Sequence, residues 1–315
     1  MDFIGQQSII ENFRCNMAQN ALSHAYALTG PAGMGKRTLA HYLAEMMVCA
    51  DTGKEAPCRR CRACKSFEAG INPQVQVIRS ETQNILIRQI RELIDDIGIR
   101  PASGRKVYII EGAERMTPDA QNCFLKTLEE PPPYAVILLT VSNFESLLVT
   151  VRSRIVHTRL EPYSIEELAK IGRANGKDLT GKEYLVHWSQ GVPGNLLRLL
   201  GDTEFEENRK AVMEFVFHDD GFSNLKLNQY LSRKKELFPE CMNILESIYR
   251  DALLVLCNVE DGLINSDKKN NIIEYAKSHK PIELTEKISK IQEIRSSLKR
   301  NMNYQLAVDM VTLEI

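Results

Sequence analysis

The sequence predicts an α/β domain built on a parallel sheet, then a small helical section and an all-helical C-terminal part. Three observations carry this. Through the first 160 residues short apolar runs alternate with helical periodicity, the pattern of parallel strands joined by crossing helices. The first such run, Ala25–Thr29, leads into Gly30-Pro-Ala-Gly-Met-Gly-Lys36, a phosphate loop in form, and the carboxyl ends of parallel strands are where such sheets take ligands. From Ser164 onward, runs of strand type cease. At 315 residues the chain exceeds one typical domain. We expect an α/β domain over 1–160 with an insertion at 49–64, a small helical domain over 161–203, and a helical domain over 204–315.

Each element has its own signal. Lys36–Cys49 places Leu39, Tyr42, Leu43, Met46 and Met47 at helical steps. Val75–Ile78 alternates as a strand, and a helix runs through Ile85, Ile90, Leu93, Ile94 and Ile97. Val107–Ile110 and Val136–Val141 are short, wholly apolar runs suited to buried parallel strands, with Ile155–Thr158 as one more. Thr117 followed by Pro118 reads as a helix cap with proline at the first position. Ser164-Ile-Glu-Glu167 is a capping box, and Gly201-Asp-Thr203 is a break. A single last helix is expected to carry Ile288, Ile291, Ile294, Leu298, Met302, Leu306, Met310 and Leu313 on one stripe.

Composition narrows the class. The chain is 43% hydrophobic and 26% charged, as in ordinary globular proteins. No apolar run approaches the roughly 18 residues of a membrane span, and the start does not read as a signal peptide, so a cytoplasmic protein is expected. A net charge of −1 argues against a broad nucleic-acid-coating surface. The local basic cluster Arg59, Arg60, Arg62 and Lys65 reads as a solvated loop face.

Eight cysteines in a reducing compartment are not expected to form disulfides. Cys15, Cys123, Cys241 and Cys257 read as isolated small buried residues. Cys49, Cys58, Cys61 and Cys64 have the spacing C-x8-C-x2-C-x2-C, which lets four thiolates converge on one tetrahedral ion. With four sulfur ligands and no position for water, this is a structural Zn²⁺ site rather than a catalytic one.

The phosphate loop departs from its pattern at one place. Gly33 and Gly35 allow close backbone approach, Lys36 supplies charge, and a helix N-terminus lies behind them. The hydroxyl residue that should follow the lysine to hold Mg²⁺ is Arg37, and Thr38 arrives one residue late. The strand at 107–110 ends in Glu111-Gly112. Glu111 has the position of a metal-holding acid, and Gly112 has no side chain with which to polarise an attacking water. The loop therefore allows two states, ATP or ADP held without turnover on Gly33, Gly35, Lys36 and Thr38, or an empty cradle. No intrinsic ATPase activity is expected.

At this point a resemblance stands out. Leu22-Ser-His-Ala-Tyr-Ala-Leu-Thr-Gly30, the loop through Lys36, the cysteine quartet, Ala120-Gln-Asn-Cys-Phe-Leu-Lys-Thr-Leu-Glu-Glu-Pro-Pro132, Arg152-Ser-Arg154, Gly191-Val-Pro-Gly-Asn195 and Asn301-Met-Asn-Tyr-Gln-Leu306 resemble the delta-prime family of bacterial DNA polymerase III clamp-loader subunits, within the AAA+ superfamily. From about 205 to 295 only the helical pattern supports it. The resemblance implies an AAA+ domain, a helical lid and a helical collar that assembles a five-membered ring. It implies tau/gamma-like motor and delta-like subunits as partners, with primer-template DNA and the sliding clamp met through the complex and no membrane. Motor subunits of this kind carry a nucleotide-sensing arginine where this chain has Gly194. The Ser-Arg-Cys motif appears as Ser153-Arg154-Ile155, and the resemblance makes Arg154 a catalytic arginine acting in trans on a neighbour's ATP, with Arg152 close enough in spacing to exchange roles. Thr140, Ser142 and Asn143 end a strand where the family has a polar sensor residue, and strand-end hydrogen bonding is the simpler role for them.

The leading reading is thus a non-catalytic assembly subunit of a replication clamp loader. A tau/gamma-like motor ATPase would have to use Glu111 and Thr38 in unusual roles, and Gly112 and Gly194 count against it. A zinc-stabilised nucleic-acid module lacks interleaved aromatic and basic residues, and a nucleotide kinase lacks a recognisable lid of arginines.

Overall fold

The computed structural model describes residues 3–51, 53, 56–80, 83–101, 104–218, 220–259 and 262–315. Residues 1 and 2, at the start read for a signal peptide, and 52, 54 and 55 of the cysteine insertion lie outside the described residues. The chain forms two compact units, Met1–Ile171 with Val192–Gly194, and Gly172–Gly191 with Asn195–Ile315.

The first unit is organised by a five-stranded sheet in the order β2-β3-β4-β1-β5, all pairs parallel. The strands are β1 (Ala25–Thr29), β2 (Val75–Arg79), β3 (Lys106–Glu111), β4 (Ala135–Val141) and β5 (Val156–Arg159). Every residue of β1, β3 and β4 is buried, which is why those runs are continuously apolar rather than alternating. The edge strands β2 and β5 are more exposed and more polar. Lys106 is buried at the start of β3 because Asp96 answers it, with its carboxylate 3.0 Å and its carbonyl 2.9 Å from the ammonium.

α1 (Gln7–Ala18) precedes the first strand, α2 (Lys36–Val48), α3 (Arg62–Glu68), α4 (Ile87–Ile97), α5 (Pro118–Glu129) and α6 (Val149–Arg152) connect the strands, and α7 (Ile165–Ala174) follows β5. Ile90, Leu93 and Phe124 from α4 and α5 meet Tyr108, Ile110, Ile137 and Leu139 of the sheet in one apolar core. Thr117 caps α5 by accepting from the Ala120 N–H, and Ser164 and Glu167 exchange the two bonds of the capping box. Ile85 stands outside its expected helix. It forms a bridge with Met116, and α4 starts later because the Gln89 side chain accepts the Leu86 N–H.

The second unit is helical: α8 (Tyr184–Trp188), most of α9 (Pro193–Leu199), α10 (Thr203–Phe217), α11 (Gly221–Arg233), α12 (Phe238–Leu256), α13 (Lys269–Lys277), α14 (Pro281–Lys299) and α15 (Tyr304–Glu314). Asp202, in the Gly201-Asp-Thr break, caps α10. α12 is the centre of the unit, packed against α10, α13 and α14 through Met242, Ile244, Leu245 and Ile248. The buried Asp251 carboxylate is satisfied by the backbone N–H groups of Ile264 and Asn265.

The single last helix is corrected to two. Asn301 takes a left-handed conformation, φ 68°, with the Met302 N–H returning to Ser297 O, and Asn303 then caps α15. The break resets the helical phase, so α15 buries Ala307, Val308 and Val311 and leaves Leu306 and Leu313 exposed. The lone cysteines also divide: Cys241 is buried, but Cys15 and Cys257 are exposed. Cys15 lies off the buried face of α1 formed by Ile9, Ile10 and Phe13, and Cys257 lies past the last turn of α12.

Candidate functional site

The loop after β1 has the backbone of a phosphate cradle, with positive φ at Gly33 (80°) and Gly35 (86°) feeding the start of α2. Its polar groups are turned inward. Lys36 Nζ donates to the carbonyls of Gly30 (2.7 Å) and Pro31 (2.8 Å), and burial pushes its pKa down despite the pull of Glu114. The Gly33 carbonyl accepts the Gly194 N–H at 2.9 Å. Gly194 belongs to the Gly-Val-Pro-Gly stretch, and a Cβ there would sit 2.6 Å from Gly33 Cα and 2.9 Å from Gly33 O. Only glycine fits. Residue 194 is thereby held to glycine, since its backbone is docked on the loop.

Arg37 replaces the metal-binding hydroxyl in a literal sense. Its Nε lies 2.9 Å from Oε2 of Glu111, as an ion pair without hydrogen-bond alignment, and His41 Nε2 lies 3.0 Å from Oε1. The Glu111 side chain is only 3% exposed, and a buried carboxylate needs a counter-charge. Arg37 places a positive charge beside that carboxylate. Thr38 is exposed on α2, and one helical step turns a side chain by about 100° from its predecessor, so it does not take the vacated place. Sequence reasoning missed His41. The signal was available, because His41 follows Arg37 by one helical turn.

Gly112 follows Glu111 at φ 71°, a conformation that favours glycine, and its N–H donates to Thr140 Oγ1 at 2.9 Å. Thr140 therefore ties β4 to the turn after β3. Ser142 N–H donates to Glu114 Oε2, and Asn143 caps the short turn at Phe144–Ser146.

Arg152 and Arg154 sit on the passage from α6 to β5 and differ sharply. Arg152 is folded back on its own chain, paired with Glu145 and lying over the Phe144 ring. Phe144 in turn stacks on His157 at 4.0 Å, and His157 Nε2 is 2.7 Å from Thr29 Oγ1. Arg154 keeps 35% of its side chain accessible. Its Nη1 donates to Thr150 O (2.9 Å) and Ser153 Oγ (3.1 Å), and its Nη2 lies 2.8 Å from Glu129 Oε1.

The four cysteines converge. The Sγ atoms of Cys49, Cys58, Cys61 and Cys64 all lie within 4.8 Å of one another, contributed by the end of α2, the following loop and α3. Sulfurs tetrahedrally disposed at about 2.3 Å from one ion fit within such a group. Backbone N–H groups of Asp51 and Cys58 point at Cys49 Sγ, and that of Cys64 at Cys61 Sγ. Hydrogen bonds from the Ala50 and Cys64 N–H groups pull the Cys61 thiol down to about 6, while burial pushes the Cys49 and Cys64 thiols up. Nearby, Arg59 and Arg60 of the basic cluster pair with Glu45 and Asp51.

Similarity to known proteins covers both units. A family described as "DNA polymerase III, delta subunit" matches residues 5–164, and one described as "DNA polymerase III, delta subunit, C terminal" matches residues 203–315. The delta-prime subunit of DNA polymerase III from Bacillus subtilis is 30% identical over 95% of this chain and 92% of its own length. That of Pseudomonas aeruginosa is 37% identical over 63% of this chain and 61% of its own. A DNA polymerase III gamma subunit from Buchnera aphidicola is 32% identical, over 52% of this chain and 46% of its own length. No described helix is long and apolar enough to cross a membrane. With the Bacillus subtilis delta-prime subunit matched over nearly the whole of both chains, this chain belongs to the delta-prime family of bacterial DNA polymerase III clamp-loader subunits.

Proposed function

We propose that the chain is a fixed, non-hydrolysing ring member of the clamp loader of DNA replication, lending Arg154 to the ATP site of a neighbouring tau/gamma-like subunit while the sliding clamp is loaded. The observation that carries this is the contrast between two sites in one unit. The chain's own phosphate loop is turned onto itself, with Lys36 on loop carbonyls, Gly194 docked on Gly33, and Arg37 against Glu111. Arg154 meanwhile presents a partly accessible guanidinium. A planar fork that is always charged suits phosphate oxygens gaining charge as their bond breaks. An arginine that works on another subunit's nucleotide has reason to persist when its own chain's site is closed. The motor alternative is disfavoured by the same loop, and the gamma relative is matched over only about half its length.

The test is hydrolysis by the reconstituted complex with primer-template DNA and clamp. Arg154→Ala should assemble normally and lower stimulated ATP hydrolysis at one site, where trans arginines contribute about 10³–10⁵ in rate. Arg154→Lys should not rescue it, and Lys36→Ala in this chain should change nothing. Wild-type hydrolysis and clamp loading by the Arg154→Ala complex would sink the proposal.

We further propose that Cys49, Cys58, Cys61 and Cys64 hold one structural Zn²⁺ as thiolates. The sulfurs' convergence and the N–H groups aimed at them support the reading. The ion would order a loop with few apolar side chains of its own, and would take no part in catalysis.

A further inference from the structure

Resting on the reading of Arg154 as the arginine used in trans, we infer that Glu129 is its positioning residue. Glu129 is the last residue of α5, in the Leu-Lys-Thr-Leu-Glu-Glu-Pro-Pro stretch, 25 positions before Arg154 in sequence. The fold brings the two side chains to 2.8 Å, Glu129 Oε1 to Arg154 Nη2. Two separate sequence motifs thereby become one constellation.

Three details give the pair a purpose beyond stability. First, a carboxylate in the last turn of a helix faces the negative end of the helix dipole, so α5 gains nothing from Glu129 by itself. Second, the pair is exposed, with 49% of the Glu129 side chain accessible, and exposed ion pairs contribute little to folding. Third, the accounting of donors is specific. A guanidinium has five N–H groups. Thr150 O and Ser153 Oγ engage Nη1 by hydrogen bonds, and Glu129 holds Nη2 as an ion pair without hydrogen-bond alignment, which leaves Nε–H and the Nη2 N–H groups for a phosphate. Glu129 and the turn at Thr150–Ser153 therefore hold the head group from two sides while the Nε and Nη2 donors stay available. An arginine fixed in this way loses less side-chain freedom when it meets its ligand, and binding energy is kept for the transition state. Arg152 has no comparable arrangement, since its partners Glu145 and Phe144 hold it against its own chain.

The experiment uses the complete complex with DNA and clamp, measuring ATP hydrolysis for Glu129→Ala, Glu129→Gln, Arg154→Ala and the double variant Glu129→Ala/Arg154→Ala. Melting of the chain and its incorporation into the complex should match wild type throughout. Glu129→Ala should lower kcat about five- to tenfold at the affected site with KM for ATP unchanged, the mark of lost orientation rather than lost binding. Glu129→Gln removes the charge that draws the guanidinium and should lower kcat to a similar extent, with KM again unchanged. In the Arg154→Ala background, Glu129→Ala should produce no further loss, because its effect runs through the arginine. If Arg154→Ala is impaired while Glu129→Ala is wild type, faster, or multiplies the loss in the double variant, the positioning role is overturned and the trans arginine stands. If Arg154→Ala itself is wild type, both readings fall.

Discussion

Replacing Gly194 by alanine tests whether the segment carrying it closes the phosphate loop. The new Cβ would lie 2.6 Å from Gly33 Cα and 2.9 Å from Gly33 O. Carbon atoms sit comfortably at about 3.5–4.0 Å, so the methyl intrudes by roughly an ångström on backbone with no flexible end to yield. Overpacking of this kind costs about 1–3 kcal/mol, and loss of the Gly194 N–H to Gly33 carbonyl bond adds about 1 kcal/mol. The segment has an escape, which is to undock, so the penalty is capped at the docking energy. A loss of about 2 kcal/mol corresponds to a melting decrease of roughly 4–8 °C for a unit of this size. Thermal melting measures it, and hydrogen exchange at the Gly194 amide reports the undocking. Gly221→Ala is the control, because its Cβ would meet nothing within 4 Å. Unchanged melting together with unchanged exchange at Gly194 would refute the docked-loop argument.

Other perturbations have equally definite outcomes. Arg37→Thr restores the loop's sequence pattern but strips the buried Glu111 of its cation. It should cost about 1–3 kcal/mol by denaturant titration and yield no ATP turnover, since Gly112 still supplies no group to polarise water. Metal analysis should find one zinc per chain, and chelation should melt the segment around residues 49–65 in hydrogen exchange while the sheet stays protected. Structural zinc in small peptides is worth roughly 10–16 kcal/mol of apparent binding, and an apo chain with the same local protection would remove the metal's role. Burial alone would raise the Asp96 carboxyl, but the Tyr108 hydroxyl at 2.7 Å and the Lys106 ammonium at 3.0 Å outweigh it and hold its pKa low. A depressed acid stabilises the fold above its unfolded value of about 3.9 and loses that contribution as pH falls through its folded value. Asp96→Asn should therefore flatten the acid limb of stability in urea titrations between pH 3 and 7, and an acid limb of unchanged slope would count against the triad.

Much of the fold was legible because it rests on local chemistry. The five strands were read from apolar runs, and all five lie within one residue of the observed ends. The capping box at Ser164 and the cap at Thr117 were readable because each is closed by bonds within three residues. The last helix was misread for the opposite reason. Its three- and four-residue steps continue across Asn301, and nothing in that periodicity announces a residue at positive φ that shifts the phase. Cys15 and Cys257 were misread because burial depends on which face the neighbours cover.

At the candidate sites the division is sharper. The sequence by itself determined which chemical groups are absent, the hydroxyl at Arg37, the side chain at Gly112 and the arginine at Gly194, and that four cysteines have the spacing of one tetrahedral ion. Those are properties of residue identity and short spacing, which no folding alters. Only the tertiary structure decided what fills the gaps. Arg37 and His41 meet Glu111 across 70 to 74 positions, Gly194 meets Gly33 across 161, and Glu129 meets Arg154 across 25. Such pairings are set by the parallel strand order and by helices packing over it, which bring together side chains that no local pattern relates.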